Sequence, residues 1–545
     1  MFIGHSFFKK LIGDVMKIIV SLLLVFAVLF GFSACGDDTP DSPVSPDGTT
    51  ANNISTDKTD NKKEDAYTPF DLYCGSYCQS EWDDVNYVTL ATVDVATLVL
   101  SDEAVDKYPY LSNTVEQHNA DTKEYADEEF DSLVELAEDD VAYNGTEYFG
   151  GYTYTSEYYV QRADNAVLSV RYDWDTFSGG MHPDYGTNGL NFDPATGKVL
   201  TLSDVVTDVP GLISLVKEKL NAEYTSATFF DSLDATLSEY SEADFAWTIN
   251  YQSITFYFSP YQIAPYAAGL ITATVYFDEQ PELFKAEYTK AQQAYAYAVP
   301  MWSDVDFDLD EKDGKADTLS YGMYKNEEGY ADKIQIKING KEFTFADLEA
   351  FSGKAYLAFA DGKNYLYFEA YGNNDYEQLM IFEVEKSSVN LKETLTNSGF
   401  GYIYIYGDDG VSTADKVFNN PYSFILDSRM DFLGTYRGLK SYSIDSKTGL
   451  PVTQDKAYIV EMNDDFVLTC KTELSVEMLS DKKEKVMPSG TNFRIIRTDD
   501  ETYVDTVLED GRECRIYAEF DKNEYQLYID GMPENDVFEE IMYAG

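Results

Sequence analysis

Residues 178–204 read SGGMHPDYGTNGLNFDPATGKVLTLSD, and this stretch is the most informative about the fold. Apolar residues of 190–202 flank the turn Asp193-Pro194-Ala195-Thr196-Gly197, which predicts a pair of strands. Before them, Gly179 and Gly180 stand beside the His182-Pro183 step. Two glycines at such a point permit a tight turn whose backbone approaches another segment closely.

The surrounding region, residues 67–298, is predicted to be an α+β domain with a mostly antiparallel sheet, because helices and strands do not alternate regularly. A polar helix is expected over 110–140 and a second helix over 210–220. The other expected strands are 85–100, 152–160, 166–175, 253–258 and 270–277.

A second distinctive loop lies in residues 256–269, FYFSPYQIAPYAAG. Its two prolines stiffen the backbone, and its tyrosines offer the broad amphipathic contact area found at recognition surfaces. The candidate ligand-binding residues of both loops are Ser178, Gly179, Gly180, His182, Pro260, Tyr261, Ile263, Pro265 and Tyr266. Alternatively, both loops are packing features, with His182 hydrogen-bonded in place and the tyrosines capping the sheet.

The motifs 178–183, 191–204 and 256–269, in this order, resemble the extracellular domain shared by the anti-sigma factor RsiV and the peptidoglycan deacetylase PdaC. The resemblance covers about residues 85–285. It implies an extracellular sensor that binds lysozyme, as in RsiV-type members. In PdaC-type members the domain accompanies a separate deacetylase domain.

We do not expect this chain to share the deacetylase activity of the PdaC-type members or the sigma-factor control of the RsiV-type members. The deacetylase needs an Asp-Asp and a His-x3-His pattern, whereas this chain has His only at 5, 118 and 182. We therefore expect a non-enzymatic binding or sensory protein that recognises a lysozyme-like cationic protein or a cell-wall polymer. The alternative is a peptidoglycan- or glycan-directed hydrolase, whose carboxylate pair would have to be brought together by the fold.

The N-terminus predicts a bacterial lipoprotein on the outer face of the cytoplasmic membrane. An apolar run, residues 18–32, follows three lysines and ends just before Ser33-Ala34-Cys35, which resembles a lipobox with Phe32 in place of the preferred Leu. Residues 1–34 are then a signal peptide, with Met16 as an alternative start, and Cys35 is lipidated. An uncleaved anchor and an ordinary signal peptide are the alternatives. Residues 36–66 are polar and predict a disordered linker.

The amino-acid composition excludes some classes of protein and of binding partner. The 545 residues include 97 Asp and Glu against 40 Lys and Arg, a net charge of −57. Such a chain repels phosphate, which excludes nucleic acid. Aromatic residues make up 15% of the chain, which excludes a wholly disordered acidic protein. The acidity instead favours association with cationic proteins.

Residues 300–460 predict a β-rich domain that opens with the acidic segment 303–318, SDVDFDLDEKDGKADT. Alternating aspartates before a glycine resemble calcium loops. The candidate Ca²⁺ ligands are Asp306, Asp308, Asp310, Asp313 and Asp317. One residue too many precedes Asp313-Gly314, and Lys312 stands where a ligand is expected, so a solvated acidic turn is the alternative.

The later strands of residues 300–460 resemble propeller blades only loosely. Asn339-Gly340 between two alternating runs predicts a hairpin. Residues 462–545 contain strands separated by Pro-x-Gly-Thr, Asp-Asp and Asp-Gly turns, which weakly resemble a bacterial SH3-like barrel.

Four cysteines remain besides Cys35. An even number in an exported chain favours two disulfides. Of the three possible connectivities, the local pairing Cys74–Cys78 with Cys470–Cys514 is preferred.

Overall fold

The computed structural model describes residues 67–309, 316–373, 376–407, 410–460 and 466–543. The predicted signal peptide 1–34, the lipidation site Cys35 and the linker to residue 66 lie outside the described residues. The described residues, from 67 to 543, belong to one compact unit. An α+β N-terminal region is followed by mostly β structure, which confirms the predicted fold class.

The N-terminal region contains nearly all of the described helix. Its strands are β1 Leu72–Asp83, β2 Val88–Leu100, β3 Tyr152–Ala163, β4 Leu168–Phe177, β5 Asp184–Phe192, β6 Ala246–Ile249, β7 Ser253–Phe258, β8 Ile271–Tyr276 and β9 Ala294–Val299. The helices are α1 Asp102–Lys107, α2 Pro109–Asn144, α3 Leu202–Val205, α4 Val209–Glu223, α5 Leu233–Leu237 and, near the C-terminus, α6 Glu534–Val537. Single 3₁₀ turns occupy Ser226–Thr228, Glu242–Asp244, Tyr266–Ala268 and Pro281–Leu283.

The remainder of the described chain is built from strands. They are β10 Val305–Phe307, β11 Asp317–Lys325, β12 Ala331–Ile338, β13 Lys341–Ala350, β14 Ser352–Ala360, β15 Lys363–Tyr371, β16 Glu377–Glu385, β17 Ser388–Thr396, β18 Ser398–Gly399, β19 Tyr402–Gly407, β20 Gly410–Lys416 and β21 Phe424–Met430. They continue with β22 Tyr436–Ile444, β23 Pro451–Val452, β24 Tyr458–Val460, β25 Leu468–Thr469, β26 Leu474–Met478, β27 Glu484–Met487, β28 Asn492–Thr498, β29 Tyr503–Leu508, β30 Glu513–Tyr517, β31 Glu519–Asp521, β32 Gln526–Ile529 and β33 Met532–Pro533.

A seven-stranded sheet, ordered β19-β20-β1-β2-β3-β4-β5, organises the N-terminal region. Its neighbouring strands are antiparallel except β2 and β3, which run parallel. Helix α2 begins with a proline and ends at Gly145, whose φ of +76° suits glycine. It packs on one face of the sheet, where the hydroxyl of Tyr77 donates to Asp127 over 2.7 Å. Among the described residues no helix has the length and apolar character needed to cross a membrane.

Strand pairing crosses the predicted domain boundaries. Strand β20 pairs with β1, so residues 410–416 complete a sheet that begins at residue 72. Strand β9 joins the five-stranded sheet β17-β16-β15-β14-β9, and the sheet that holds β26–β30 also holds β18, β21 and β22. Strands β25–β30 thus belong to a larger sheet, whereas β31-β32-β33 form a separate small one. No closed barrel is found among the described residues.

A small sheet, β6-β7-β8, packs against β4 and β5 through side-chain hydrogen bonds. The Asn191 amide donates to the carbonyl of Trp247 over 2.8 Å, and Ser169 Oγ accepts from the backbone N–H of Ile249 over 3.0 Å. A Cβ at Gly189 would overlap the Trp247 carbonyl oxygen. The close approach of β5 and β6 therefore requires glycine at 189. The packing of these two strands also fixes the position of the loop that follows β7.

We expect Gly189→Ala to lower the free energy of unfolding by about 2–3 kcal/mol, since the methyl group has no space beside the Trp247 carbonyl. Gly150→Ala is the matched control, because nothing lies within 4 Å of a Cβ at Gly150. Unfolding followed by circular dichroism measures both. Equal stability of the two variants would show that β5 and β6 are not packed as described.

Candidate functional site

The two loops highlighted in the sequence lie side by side. Residues 178–183 connect β4 to β5, and residues 259–269 follow β7; together they are called the loop pair. Gly179 and Gly180 adopt φ values of +93° and +103°, in which a side chain would be strained. The backbone N–H of Thr187 donates to Ser259 Oγ over 3.0 Å, so the second loop is tied to β5.

An aromatic stack joins the two loops. The rings of His182 and Tyr266 are nearly parallel, with centroids 3.8 Å apart. The hydroxyl of Tyr266 donates to the carbonyl of Pro183 over 2.9 Å. The rings of Tyr185 and Tyr261 lie 5.4 Å and 5.8 Å from the same tyrosine. The loop pair is thus a surface cluster of rings with Tyr266 at its centre.

Tyr261 has an unfavourable backbone conformation for its size. Its φ is +69°, a region that bulky residues rarely adopt, and its N–H donates to the Ala264 carbonyl over 2.9 Å. The side chain is 47% exposed. The loop therefore presents an aromatic ring to solvent at a position where glycine or asparagine would suit the backbone better.

The candidate ligand-binding residues separate into an exposed and a buried group. The exposed or half-buried ones are Ser178, Gly179, Gly180, His182, Tyr261, Pro265 and Tyr266. Pro260 and Ile263 are buried, and Ile263 belongs to the core cluster around the small sheet. Their side chains pack inward, so these two residues support the loop from inside, and their role in ligand binding stays a prediction. Sequence analysis missed Met181, which is 97% exposed at the tip of the first loop.

The surroundings of the loop pair are acidic. Partial desolvation, followed by the neighbouring Tyr185 and Asp184, raises the pKa of Tyr266. Its hydroxyl therefore stays protonated and available as the donor to Pro183. Residues 178–185 and 259–269 contain no Lys or Arg. The cluster is thus suited to a cationic group, through ring faces and carboxylates together.

The described members of the predicted calcium set do not converge. Asp317 lies opposite Phe307 in the β10–β11 pair, so its side chain lies on the other face from that of Asp306. Asp317 accepts from the backbone N–H of Leu309 and the amide of Asn339, whereas Asp308 is buried with its main chain bonded to Gln252. Asp310 and Asp313 lie outside the described residues. Among those that are described, no group of three His, Cys, Asp or Glu side chains could hold a metal.

All four described cysteines are free thiols, so the predicted disulfides are absent. Cys74 and Cys78 both lie on β1, where four residues span about 13 Å, twice the reach of a disulfide. Burial raises the pKa of Cys74 to about 12. Cys470 Sγ donates to the Pro488 carbonyl over 3.1 Å, and Cys514 Sγ lies 3.3 Å from the hydroxyl of Thr506.

Part of the N-terminal region is similar to known proteins. Residues 207–278 match the family described as "Protein of unknown function (DUF3298)". A DUF3298 family member from Bacteroides fragilis is 19% identical over 40% of this chain and 96% of its own, with a TM-score of 0.29. A second, from Pseudomonas aeruginosa, is 15% identical over 41% of this chain and 99% of its own, with a TM-score of 0.28. No curated protein matches the chain.

Thiol counting tests the cysteine assignment. We expect the unreduced Cys35→Ser variant, unfolded in guanidinium, to show four thiols that react with Ellman's reagent, one for each of the four free cysteines. Of the four described cysteines, Cys78 alone is exposed before unfolding, and it should react slowly because partial burial raises its pKa. Fewer than four reactive thiols after unfolding would show that a disulfide is present and would contradict the assignment of four free cysteines.

Proposed function

We propose that this protein is a lipid-anchored, non-catalytic binding protein on the outer face of a bacterial cytoplasmic membrane. Its folded part captures a cationic wall-active protein such as lysozyme. The anchor is Cys35, which follows the apolar segment 18–32. The polar stretch 36–66 serves as the tether between the lipid and the folded region.

The observation that carries the proposal is the His182–Tyr266 stack. It joins two loops that are far apart in the sequence into one exposed cluster of rings. Rings of this kind are favoured in protein interfaces, since they give large contact area with few rotatable bonds. The resemblance of the same loops to RsiV-type domains supports lysozyme as the partner.

Charge supports a cationic partner over a cell-wall polymer. With a net charge of −57, the chain attracts a basic protein over several ångströms and raises its association rate. Peptidoglycan binding would depend on the aromatic rings alone, and the negative charge of the protein would contribute little to it.

A glycan hydrolase is the second candidate, because one described glutamate, Glu377, has the pKa of a general acid and lies beside a second carboxylate. Burial, and then the neighbouring Glu369, raises the pKa of Glu377 to about 7, as in a general acid. However, a Cβ at Gly399 would overlap Glu369 Oε1 and lie 2.6 Å from Glu377 Oε2. The backbone covers the pair, which leaves no space for a sugar between the carboxyls.

Lysozyme binding tests the proposal. We expect the purified protein to bind lysozyme by calorimetry in about 150 mM salt, and the affinity to fall as salt screens the charges. Tyr261→Asn should weaken binding at least fivefold, because it removes the ring and keeps the left-handed backbone.

Two controls accompany this measurement. Cytochrome c, a basic protein without wall activity, shows how much binding follows from charge alone. Turnover of peptidoglycan by the purified protein, lost in Glu377→Gln, would favour the hydrolase instead. Absence of lysozyme binding, or full binding by Tyr261→Asn, would contradict the role of the loop pair.

The anchor is tested separately. In a bacterial host, Cys35→Ser should release the protein from the membrane fraction, and mass spectrometry of the wild-type N-terminus should find a diacylglyceryl group on Cys35. Ser33→Ala leaves the cysteine in place and is the control. Membrane retention of Cys35→Ser would indicate an uncleaved anchor over residues 18–32.

A further inference from the structure

Four chain segments meet at one end of the seven-stranded sheet. Segment 82–87 is the tip of the β1–β2 hairpin, 143–151 leads from α2 into β3, and 178–184 leads from β4 into β5. Strands β2 and β3 begin at this end, whereas β1 and β4 finish there. Residues 259–269 join them through the His182–Tyr266 stack. These four segments are called the aromatic end.

The segments of the aromatic end form one continuous surface. A Cβ at Gly179 would lie 3.0 Å from Tyr152 Oη, so the 178–184 loop rests on the first residue of β3. The ring of Phe149 lies 5.3 Å from that of Tyr152. A Cβ at Gly151 would lie 3.1 Å from the carbonyl oxygen of Thr89, beside the hairpin. With about 5 Å between neighbouring strands, the surface extends roughly 20 Å from β1 to β5.

Large apolar side chains are exposed across this surface. Their exposed fractions run from 47% to 97%. They are Trp82, Val85, Tyr87, Tyr143, Tyr148, Met181 and Tyr261. Large apolar side chains exposed together at one end of a sheet mark an interaction site, whereas single ones scattered over a surface do not.

The same surface carries only negative charge. Asp83, Asp84, Glu147 and Asp184 belong to the aromatic end, and its four segments contain no Lys or Arg. Hydrogen bonds from the Asn86 side chain and backbone, followed by the Val85 N–H, lower the pKa of Asp83, which keeps this carboxylate ionised. Rings flanked by carboxylates bind guanidinium and ammonium groups, and they disfavour anionic lipid headgroups.

Two of the exposed tyrosines share an unusual backbone. Tyr87 has a φ of +58° and Tyr261 a φ of +69°, in the region where asparagine or glycine would be less strained. Tyr87 is 76% exposed, so its ring gains little from packing inside the fold. Tyr525 has a similar backbone and exposure elsewhere in the chain, so the strain alone does not mark a binding residue. Tyr87 is singled out by its position among the exposed rings and carboxylates of the aromatic end.

We propose that the whole aromatic end, and not the loop pair alone, is the binding surface, and that it takes the basic face of a folded protein. Arginine and lysine side chains of that partner stack on the tyrosines and pair with the carboxylates beside them. This inference rests on the proposed function and extends the contact surface to the hairpin tip and to the segment after α2.

A substitution at the tip of the β1–β2 hairpin tests this proposal. Lysozyme is the probe, and its affinity is measured for the purified wild-type protein and for Tyr87→Asn, Tyr261→Asn and Tyr525→Asn. Tyr525, between β31 and β32, is the matched control, since it is 85% exposed with a φ of +56°. We expect Tyr87→Asn to weaken binding about tenfold with no loss of thermal stability, and Tyr525→Asn to bind as the wild type does.

The outcomes separate this inference from the function on which it rests. If Tyr261→Asn binds weakly and Tyr87→Asn binds normally, the loop pair is the site and the extended surface is wrong. If the wild type does not bind lysozyme, both proposals fail. Binding of phosphatidylserine vesicles that is lost in Tyr87→Asn, without lysozyme binding, would assign the aromatic end to a membrane surface.

Discussion

A fully buried ion pair holds the N-terminal region together. Arg162 Nε and Asp164 Oδ2 are 2.8 Å apart, and neither side chain is exposed. The guanidinium also donates to the carbonyls of Asn250 and Tyr288, over 3.2 Å and 2.7 Å, and lies 4.1 Å from the ring centre of Tyr67. One cation thus connects the start of the folded chain, the end of β3, the small sheet and the approach to β9. Loss of either partner would leave a buried charge at a cost of about 3–5 kcal/mol.

The loop pair depends on that connection. Because the turn at Asn250 is held to β3, the small sheet is fixed against β4 and β5, and the residues after β7 come to lie beside those after β4. The loop pair is therefore held by paired strands, whereas its rings lie on the loops themselves. Tyr87 and Tyr261 retain strained backbones there because the strands on either side determine the path of the chain.

Turns and helices, which depend on neighbouring residues, could be predicted from the sequence. The pairing of strands that are far apart in the sequence could not. Asn339-Gly340 does form the turn between β12 and β13, and the helix expected over 110–140 is α2. Strand β1 was missed, because its cysteines, serines and glycine lack apolar alternation and it is stabilised by β20. That partner is remote in sequence, as the Lys416–Asp71 ion pair across 345 residues illustrates. The burial of Ile263 likewise depends on the small sheet, which no local pattern reveals.

The position of β1 has a mechanical consequence. Strand β1 begins at Leu72 and ends at the hairpin tip, with β2 bonded along one edge and β20 along part of the other. A pull between residue 67 and the hairpin tip would load those backbone hydrogen bonds in shear, all together, rather than opening them one at a time. Strand β1 is thus well placed to withstand tension between a force applied at the aromatic end and the N-terminal part of the chain.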